Sequence, residues 1–312
     1  MLIGTFVTGA GSTLDAVVGD VRAAREARLD SVYFPQMMGW DPLTLAALAG
    51  REVPDIGLGT AAVRTYAAHP LALAGQALTA QAATGGRRLT LGIGPSHRQV
   101  IEGAYGLSYE RPARHVREYL EVLGPLLRGE TVDYRGESLS ASGALETPGA
   151  EPPSVLLAAL GPVMLGMAGE LADGTVTTWA GPELIGERIA PRVRESARAA
   201  GRPAPRVVAV ALGAVTYRPD ELRGEMATTF AAASGFASYR RVLDLQGLSG
   251  PQETVALGDE AAVADEIARF AAAGVTELVF GAIGDEHERK RTLDLLTELR
   301  TSAPDGGPAR AS

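Results

Sequence analysis

Short apolar runs alternate along this chain with stretches in which apolar residues recur at helical spacing. The runs are predicted as strands over residues 2–7, 31–34, 56–63, 88–94, 154–160, 175–178, 206–215 and 276–281. Between them the helical spacing is clear, for example at Val116, Tyr119, Leu120 and Leu123. Strands that alternate with helices predict a parallel sheet, because each right-handed crossover returns the chain to the same end of the sheet.

The number of strand–helix units favours a closed barrel. Eight such units within 312 residues are typical of the α/β class and of a (β/α)8 TIM barrel. An open doubly wound sheet is the competing fold, and it usually carries a glycine-rich phosphate fingerprint after its first strand. The first turn here, residues 8–12 (TGAGS), lacks that full fingerprint.

We predict one TIM-barrel domain over residues 1–301 and a flexible tail over residues 302–312, where Pro and Gly are frequent. Two segments interrupt the alternation and are predicted as insertions, at about residues 128–153 and 218–257. The first is expected to be a β-hairpin that turns at Gly136, and the second to contain an extra helix around residues 238–245.

Composition excludes several classes of function. The chain has no cysteine, which rules out disulfide scaffolds, thiolate nucleophiles and iron–sulfur clusters. A formal net charge of −8 argues against general binding to nucleic acid or to an anionic membrane. The four histidines lack metal-ligand spacing, and the acids, Glu118 among them, are expected on helix surfaces beside arginines. We therefore expect no catalytic metal. Residues 1–7 show no export signal, so a cytoplasmic protein is expected.

In a barrel the active site is built by the loops that follow the strands. The loop after the fourth predicted strand contains His97, an imidazole that could titrate near neutrality and exchange a proton with a substrate. A surface histidine that only forms hydrogen bonds is the alternative. Trp40, Tyr66 and Trp179 also fall at predicted strand ends. They could line an apolar slot for a flat ring system, or simply pack the barrel mouth.

The loop after the fifth predicted strand, at Gly161 and Pro162, leads into a helix. Free amides at the start of that helix, together with the helix dipole, would form an anion site without any lysine. An ordinary strand-to-helix turn with no ligand fits the same residues equally well.

Several motifs together resemble the luciferase-like monooxygenase family. They lie at residues 58–66 (LGTAAVRTY) leading into 69–71, at 81–87 (QAATGGR) leading into 91–94, at 110–120 (ERPARHVREYL), and at 159–162 (ALGP) with 168–174 (AGELADG). The similarity runs from residue 1 to about residue 300 and is strongest to the branch that uses coenzyme F420.

That resemblance implies a luciferase-like TIM barrel and an oxidoreductase that transfers a hydride at C5 of the deazaflavin of F420. The expected substrate is a small organic molecule: a ketone or secondary alcohol, an enone or an imine. A homodimer or higher homo-oligomer is also implied. An FMN-dependent monooxygenase of the same family is the alternative enzyme, and a non-catalytic carrier of flavin or deazaflavin is the alternative that is not an enzyme.

The resemblance also assigns roles to residues. A non-proline cis peptide, which by alignment falls at Ala61–Ala62, would back the deazaflavin ring, and Gly161, Pro162, Val163 and Met164 would receive the phosphate. The remaining expected cofactor contacts are Gly94, Ser96, Trp179, Ala180 and Gly181, with Arg64 or Arg98 as candidate cations for the anionic tail. The substrate would be bordered by Gln36, Trp40, Tyr66 and Trp179, and His97 would move the proton that accompanies the hydride.

Three departures from the family bear on the reaction and on the range of substrates. Some relatives place Asp-His where this chain has Gln36 and Met37, so a histidine acid or base from that loop is absent. His97 stands where the sugar-phosphate dehydrogenases of this branch have a glutamate. Those dehydrogenases also hold the sugar phosphate with lysines, whereas Lys290 is the single lysine here. We therefore do not expect glucose 6-phosphate to be a substrate.

Overall fold

The computed structural model describes residues 1–85 and 89–302, so the predicted tail beyond residue 302 lies outside the described part. The strands are β1 (Leu2–Phe6), β2 (Ser31–Phe34), β3 (Gly57–Thr60), β4 (Val63–Arg64), β5 (Leu89–Gly94), β6 (Val132–Arg135), β7 (Ser140–Gly143), β8 (Ser154–Ala158), β9 (Gly174–Thr178), β10 (Arg206–Val215), β11 (Ala256–Gly258) and β12 (Glu277–Ala282). Each of the eight predicted strands is present, most within two residues of its expected bounds. Residue 88, predicted as the start of the fourth strand, lies outside the described residues.

Helices follow most of these strands. They are α1 (Leu14–Glu26), α2 (Pro42–Glu52), α3 (Pro70–Ala83), α4 (Arg98–Gly103), α5 (Pro112–Leu127), α6 (Pro162–Leu171), α7 (Pro182–Leu184), α8 (Ala190–Ala199), α9 (Pro219–Thr229), α10 (Ala237–Leu245), α11 (Glu260–Ala272) and α12 (Glu286–Ser302). Thr13, Asp41 and Asp259 cap α1, α2 and α11 by accepting from an amide of the first turn. In the described ranges no helix combines the length and the apolar character needed to cross a bilayer.

The barrel is closed by pairing between its first and last strands. β1 pairs in parallel with both β2 and β12, and β10 pairs in parallel with both β9 and β12. The remaining neighbours are β2 with β3, β3 with β5, β5 with β8 and β8 with β9. The predicted (β/α)8 TIM barrel is therefore confirmed, and the open doubly wound sheet is excluded.

The third predicted strand is interrupted. β3 ends at Thr60, a cis peptide bond joins Ala61 to Ala62, and β4 then pairs with β5. The cis bond lies where the family resemblance predicted it. The interruption matters for the site because it lies at the C-terminal end of the barrel, where the loops converge.

The two predicted insertions contain the expected elements. β6 and β7 form an antiparallel hairpin, and the amide of Gly136 donates to the carbonyl of Leu139 across its turn. After β10 come α9, a 3-10 helix (Ala231–Gly235) and α10. We call residues 230–246 the cap segment, because they cover part of the barrel mouth.

The opposite end of the barrel holds a buried ion pair. Glu277, at the start of β12, accepts hydrogen bonds from Arg206 at 2.6 Å and from the Ser31 hydroxyl at 2.5 Å. The Tyr33 hydroxyl lies 3.2 Å from the same carboxylate. The Glu277 side chain is only 3% exposed, so these contacts replace its hydration. This network joins three strands at the end of the barrel remote from the candidate site.

Candidate functional site

The floor of the barrel mouth is apolar. Four half-buried residues from four strands or strand ends form it: Phe6, Ala61, Ala158 and Val210. They rest on a fully buried layer inside the barrel, made of Tyr33, Leu156, Val176, Val208 and Val279. A Cβ on Gly94 would lie 2.9 Å from the Cβ of Ala158, so glycine at this position keeps the floor free of a further side chain. Ala61 is part of this floor and Gly94 adjoins it at Ala158, so two residues predicted as cofactor contacts belong to a surface suited to a flat ring.

Gln36 ties the loop after β2 to β4. Its side-chain carbonyl accepts a hydrogen bond of 2.7 Å from the amide of Arg64. The buried Arg64 guanidinium donates to the Tyr105 hydroxyl at 3.2 Å and lies 5.8 Å from the centre of that ring. Arg64 is thus held between two loops, which leaves its expected role toward an anionic tail without support from this geometry.

Trp40 lies at the rim of the mouth. Its indole N–H donates to the carbonyl of Ser12 at 3.0 Å, while 44% of the residue remains exposed. With Met37, Met38 and Tyr105 it lines a cavity of about 330 Å³. Trp40 and Gln36 border this cavity, whose walls are about as polar as they are apolar, since Gln36 and Asp41 lie beside the two methionines. A substrate contact at either residue remains a prediction.

Tyr66 packs against α5. Its ring stacks on the imidazole of His115 with centroids 3.9 Å apart, and its hydroxyl donates to the carbonyl of Glu110 at 3.1 Å. Burial, with a contribution from neighbouring Tyr109, raises the pKa of Tyr66 to about 12. The phenol is therefore protonated near neutral pH, and its predicted contact with substrate remains a prediction.

His97 immediately precedes α4 and lies under the cap segment. Its imidazole stacks on Phe236 with ring centroids 4.1 Å apart and contacts the edge of Tyr239 at 4.5 Å. Its Nδ1 lies 3.2 Å from the Ser238 hydroxyl. Burial, and to a smaller extent the positive charge of Arg64, lowers the pKa of His97 to about 4.

The expectation that His97 titrates near neutrality was wrong. The sequence gives no sign that residues 236–239 would cover this imidazole, because they lie about 140 residues further along the chain. A neutral imidazole can still accept a proton or donate a hydrogen bond. The lowered pKa therefore changes the protonation state in which His97 is expected to act, while its position in the loop after β5 is as predicted.

An aromatic wall stands beside His97. It consists of Trp179, which follows β9, and of Phe230, Phe236 and Tyr239 from the cap segment. Trp179 lies edge-on to Phe230 with centroids 4.9 Å apart, and Tyr239 lies 5.9 Å from Phe236. Sequence reasoning found Trp179 and missed the other three. Their only signal was the clustering of aromatic residues in the second insertion.

The N-terminus of α6 is open. Gly161 is extended at the cap position with no side-chain capping bond, and the first turn contains no acidic residue. Val163, in that turn, is 63% exposed. The dipole and the first amides of this helix therefore face outward without a carboxylate to compete for them, as an anion site requires. The α6 start lies four residues after Ala158 of the floor.

The other candidate groups are engaged within the protein. Arg98 forms an ion pair with Glu102 and lies over the ring of Tyr109 at 5.6 Å. Gly181 donates its amide to Gln246, and Trp179 accepts from the same side chain. Ser96, at positive φ, accepts at its carbonyl from the Tyr109 hydroxyl. Across residues 1–85 and 89–302, no three His, Asp or Glu side chains are arranged to hold a metal ion.

Comparison with known proteins gives relatives over most of the chain. The sequence profile described as luciferase-like monooxygenase matches residues 2–277. A protein of Mycobacterium tuberculosis with the provisional name coenzyme F420-dependent oxidoreductase is 31% identical over 180 residues, which are 53% of this chain and 52% of that protein. The chain thus spans about half the length of this relative.

A second relative aligns over a greater length. The F420-dependent glucose-6-phosphate dehydrogenase of Mycolicibacterium fortuitum is 29% identical over 279 residues, covering 82% of each chain. Among solved structures, an F420-dependent secondary alcohol dehydrogenase in complex with an F420–acetone adduct superposes with a TM-score of 0.77 at 18% identity, covering 95% of this chain and 97% of that one. The superposition supports the fold. Given the profile match over residues 2–277, this chain belongs to the luciferase-like monooxygenase family.

Proposed function

We propose that this protein is an F420-dependent oxidoreductase that transfers a hydride between C5 of the deazaflavin and a small organic substrate. The observation that carries the proposal is the combination, at one end of the barrel, of an apolar floor with an uncapped helix start. A deazaflavin ring needs the first feature and the phosphate of the coenzyme needs the second. Relatives whose names include coenzyme F420 give independent support.

We assign the ring to the floor formed by Phe6, Ala61, Ala158 and Val210, and the phosphate to the start of α6. Ala62, Gly94, Ser96, Trp179, Ala180 and Gly181 are proposed to complete the cofactor site. Because Ala158 and α6 are joined by only three residues, one molecule can reach both places. The bound coenzyme would supply the hydride carrier, and the protein has to orient it, exclude water and manage one proton.

His97 is proposed to hold or move that proton. Hydride transfer to a carbonyl carbon requires a proton on the carbonyl oxygen, and oxidation of an alcohol releases one. With a pKa of about 4, the imidazole is neutral at pH 7, so it can accept the alcohol proton or donate a hydrogen bond to the carbonyl oxygen. In the oxidising direction the imidazolium so formed would pass its proton on to water; in the reducing direction the proton on the oxygen would come from solvent, because a neutral imidazole does not release its N–H proton near pH 7.

The substrate is proposed to be uncharged: a ketone or secondary alcohol, an enone or an imine. The aromatic wall presents an apolar surface on one side, and the cavity at Trp40 and Tyr105 on the other side is lined by apolar and polar groups in equal measure. Lys290 is exposed on α12 and paired with Asp294 at 2.6 Å, so it offers no support for a sugar phosphate in the mouth. A homodimer or larger homo-oligomer and a cytoplasmic location remain proposals, which sedimentation and cell fractionation can test.

FMN also combines a flat ring with a phosphate, so the same two features fit an FMN-dependent monooxygenase. The test is a titration of the purified protein with oxidised F420 and, separately, with FMN. Reduced F420 is then mixed with a panel of ketones, enones and imines while its absorbance is followed. We expect F420 to bind at least about tenfold more tightly than FMN and to turn over with part of the panel. Tight FMN binding without F420 binding would overturn the proposal. F420 binding with no turnover across the panel would instead favour a carrier.

A further inference from the structure

Trp179 has an unusual backbone conformation for a large residue. Its φ of 58° places it in the left-handed region, which bulky side chains rarely adopt. It is the first residue after β9, so its conformation decides the direction in which the indole leaves the barrel. A conformation of this kind persists only when surrounding contacts hold it.

Gln246 supplies such contacts. Its side-chain amide donates to the carbonyl of Trp179 at 2.8 Å and accepts from the amide of Gly181 at 2.7 Å. The second N–H donates to the carbonyl of Val242 at 2.9 Å. Both donors and the carbonyl of the side chain are therefore engaged, and the Gly181 amide fixes which end of the side chain carries the oxygen.

These contacts reach well beyond the helix that Gln246 follows. It is the C-cap residue that directly follows α10, and the bond to Val242 is local to that helix end. The bonds to Trp179 and Gly181 cross 67 and 65 residues of sequence and join the cap segment to the turn after β9. A residue that only ended a helix would not need them.

We infer that Gln246 is a positioning residue that holds the Trp179 turn so that the indole forms one face of the substrate site. The indole then packs on Phe230 and Tyr239, which the same segment carries. The resulting wall selects a substrate with a planar or bulky apolar face. This substrate preference rests on the proposed function, while the conformational part stands without it.

Tryptophan fluorescence tests the conformational part without cofactor or turnover. The chain has two tryptophans, so in a Trp40→Phe background Trp179 is the only one, and selective excitation of tryptophan avoids emission from the eight tyrosines. In that background Gln246→Met removes all three bonds. Gln246→Glu keeps an acceptor for the Gly181 amide but places a carboxylate against two carbonyl oxygens. Gln76→Met, on the exposed face of α3, is the matched control.

We expect both Gln246 variants to red-shift the emission and to raise acrylamide quenching about twofold, with a far-UV spectrum like that of the parent. The control should match the parent. If the emission and quenching of both Gln246 variants equal those of the parent, Gln246 does not hold Trp179 and the inference fails. The same holds if Gln76→Met changes them equally.

Kinetics test the substrate part. With Trp40 restored, Gln246→Met should raise KM for bulky ketones about fivefold more than KM for acetone, and leave the dissociation constant of F420 within about twofold. An equal change in KM for acetone and for bulky ketones would overturn the specificity role. Absence of any turnover in the parent would overturn the proposed function, and the fluorescence result would remain interpretable.

Discussion

The imidazole of His97 and the ring of Phe236 lie face to face, with an interplanar angle of 7° and centroids 4.1 Å apart. This stack comes from two segments that the sequence separates widely. It removes water from one face of the only histidine in the proposed site, and burial is the main cause of the low pKa of His97.

The stack predicts a pH dependence. His97 should titrate near pH 4 by NMR, and Phe236→Ala should raise its pKa toward the ordinary value of 6.5 because the imidazolium regains water. Turnover should therefore show no inflection from His97 between about pH 5.5 and 7.5, and His97→Gln should retain more activity than His97→Ala. An inflection near pH 6.5 that disappears in His97→Gln would contradict this.

The same group affects stability. The pKa of His97 is lower in the folded protein than in the unfolded chain, so the unfolded chain binds more protons between pH 6.5 and about 4. The contribution to the free energy of unfolding is thus complete above pH 6.5 and is lost as the pH falls through this window. Urea unfolding at several pH values should show a smaller loss in His97→Gln than in the parent.

The apolar floor predicts that added volume will weaken cofactor binding. Ala61→Leu would place three more carbon atoms above the buried layer formed by Tyr33 and its neighbours. We expect the dissociation constant of F420 to rise at least about tenfold, since overpacking such a contact costs about 1–3 kcal/mol. Ala72→Leu, on the exposed face of α3, is the volume-matched control. If Ala61→Leu binds F420 as tightly as the parent does, the deazaflavin ring does not bind on this floor.

The open start of α6 predicts an electrostatic effect. Val163→Glu adds a carboxylate beside the proposed phosphate position, and Val163→Gln adds the same shape without charge. The glutamate variant should bind F420 about threefold to tenfold more weakly than the glutamine variant, and the difference should shrink as salt is raised. Apo stability should not fall, because a carboxylate is favourable at a helix N-terminus. If the two variants bind F420 equally tightly at low salt, the phosphate of the coenzyme does not bind at the start of α6.

The ion pair at the other end of the barrel should matter for stability alone. Glu277→Gln leaves the Arg206 guanidinium without its buried counter-charge. We expect a loss of about 2 kcal/mol in urea unfolding, less than for a fully buried pair because the Arg206 side chain is 30% exposed. Glu195→Gln, at an exposed pair, should leave stability nearly unchanged. If the free energy of unfolding of Glu277→Gln equals that of the parent, the network adds no net stability.

The barrel could be predicted from sequence because its signal is local and repeated. Most of the buried parallel strands are short runs rich in apolar residues, and the helices between them carry their own period, although β9 is buried with the sequence GTVTT. The break in the third strand at Ala61–Ala62 had no such local signal and came only from family resemblance. The predicted strand ends differ from the observed ones by a residue or two where the apolar sequence continues past the last hydrogen bond of the sheet. The fifth strand, for example, was predicted to residue 160 and ends at Ala158.

The candidate site could be predicted only where its residues follow strands directly. His97 and Trp179 were predicted in this way, and their roles remain predictions, whereas Ser238, Phe236 and Gln246 reach the mouth from an insertion whose path the sequence does not specify. Glu118 shows the same limit. It was expected on a helix surface beside an arginine, yet it is buried and accepts from the amides of residues 137–139, so it holds the turn of the hairpin.

The pairing of β12 with both β1 and β10 has a consequence for the order of events during synthesis. Until residues 277–282 leave the ribosome, β1 and β10 would each have an unpaired strand edge. The Arg206 guanidinium would also lack the Glu277 carboxylate with which it pairs in the folded protein. The last strand therefore seals two edges and neutralises one charge in a single step. A nascent chain stalled just before Glu277 would expose both edges at once, and exposed strand edges are places where chains aggregate or bind chaperones.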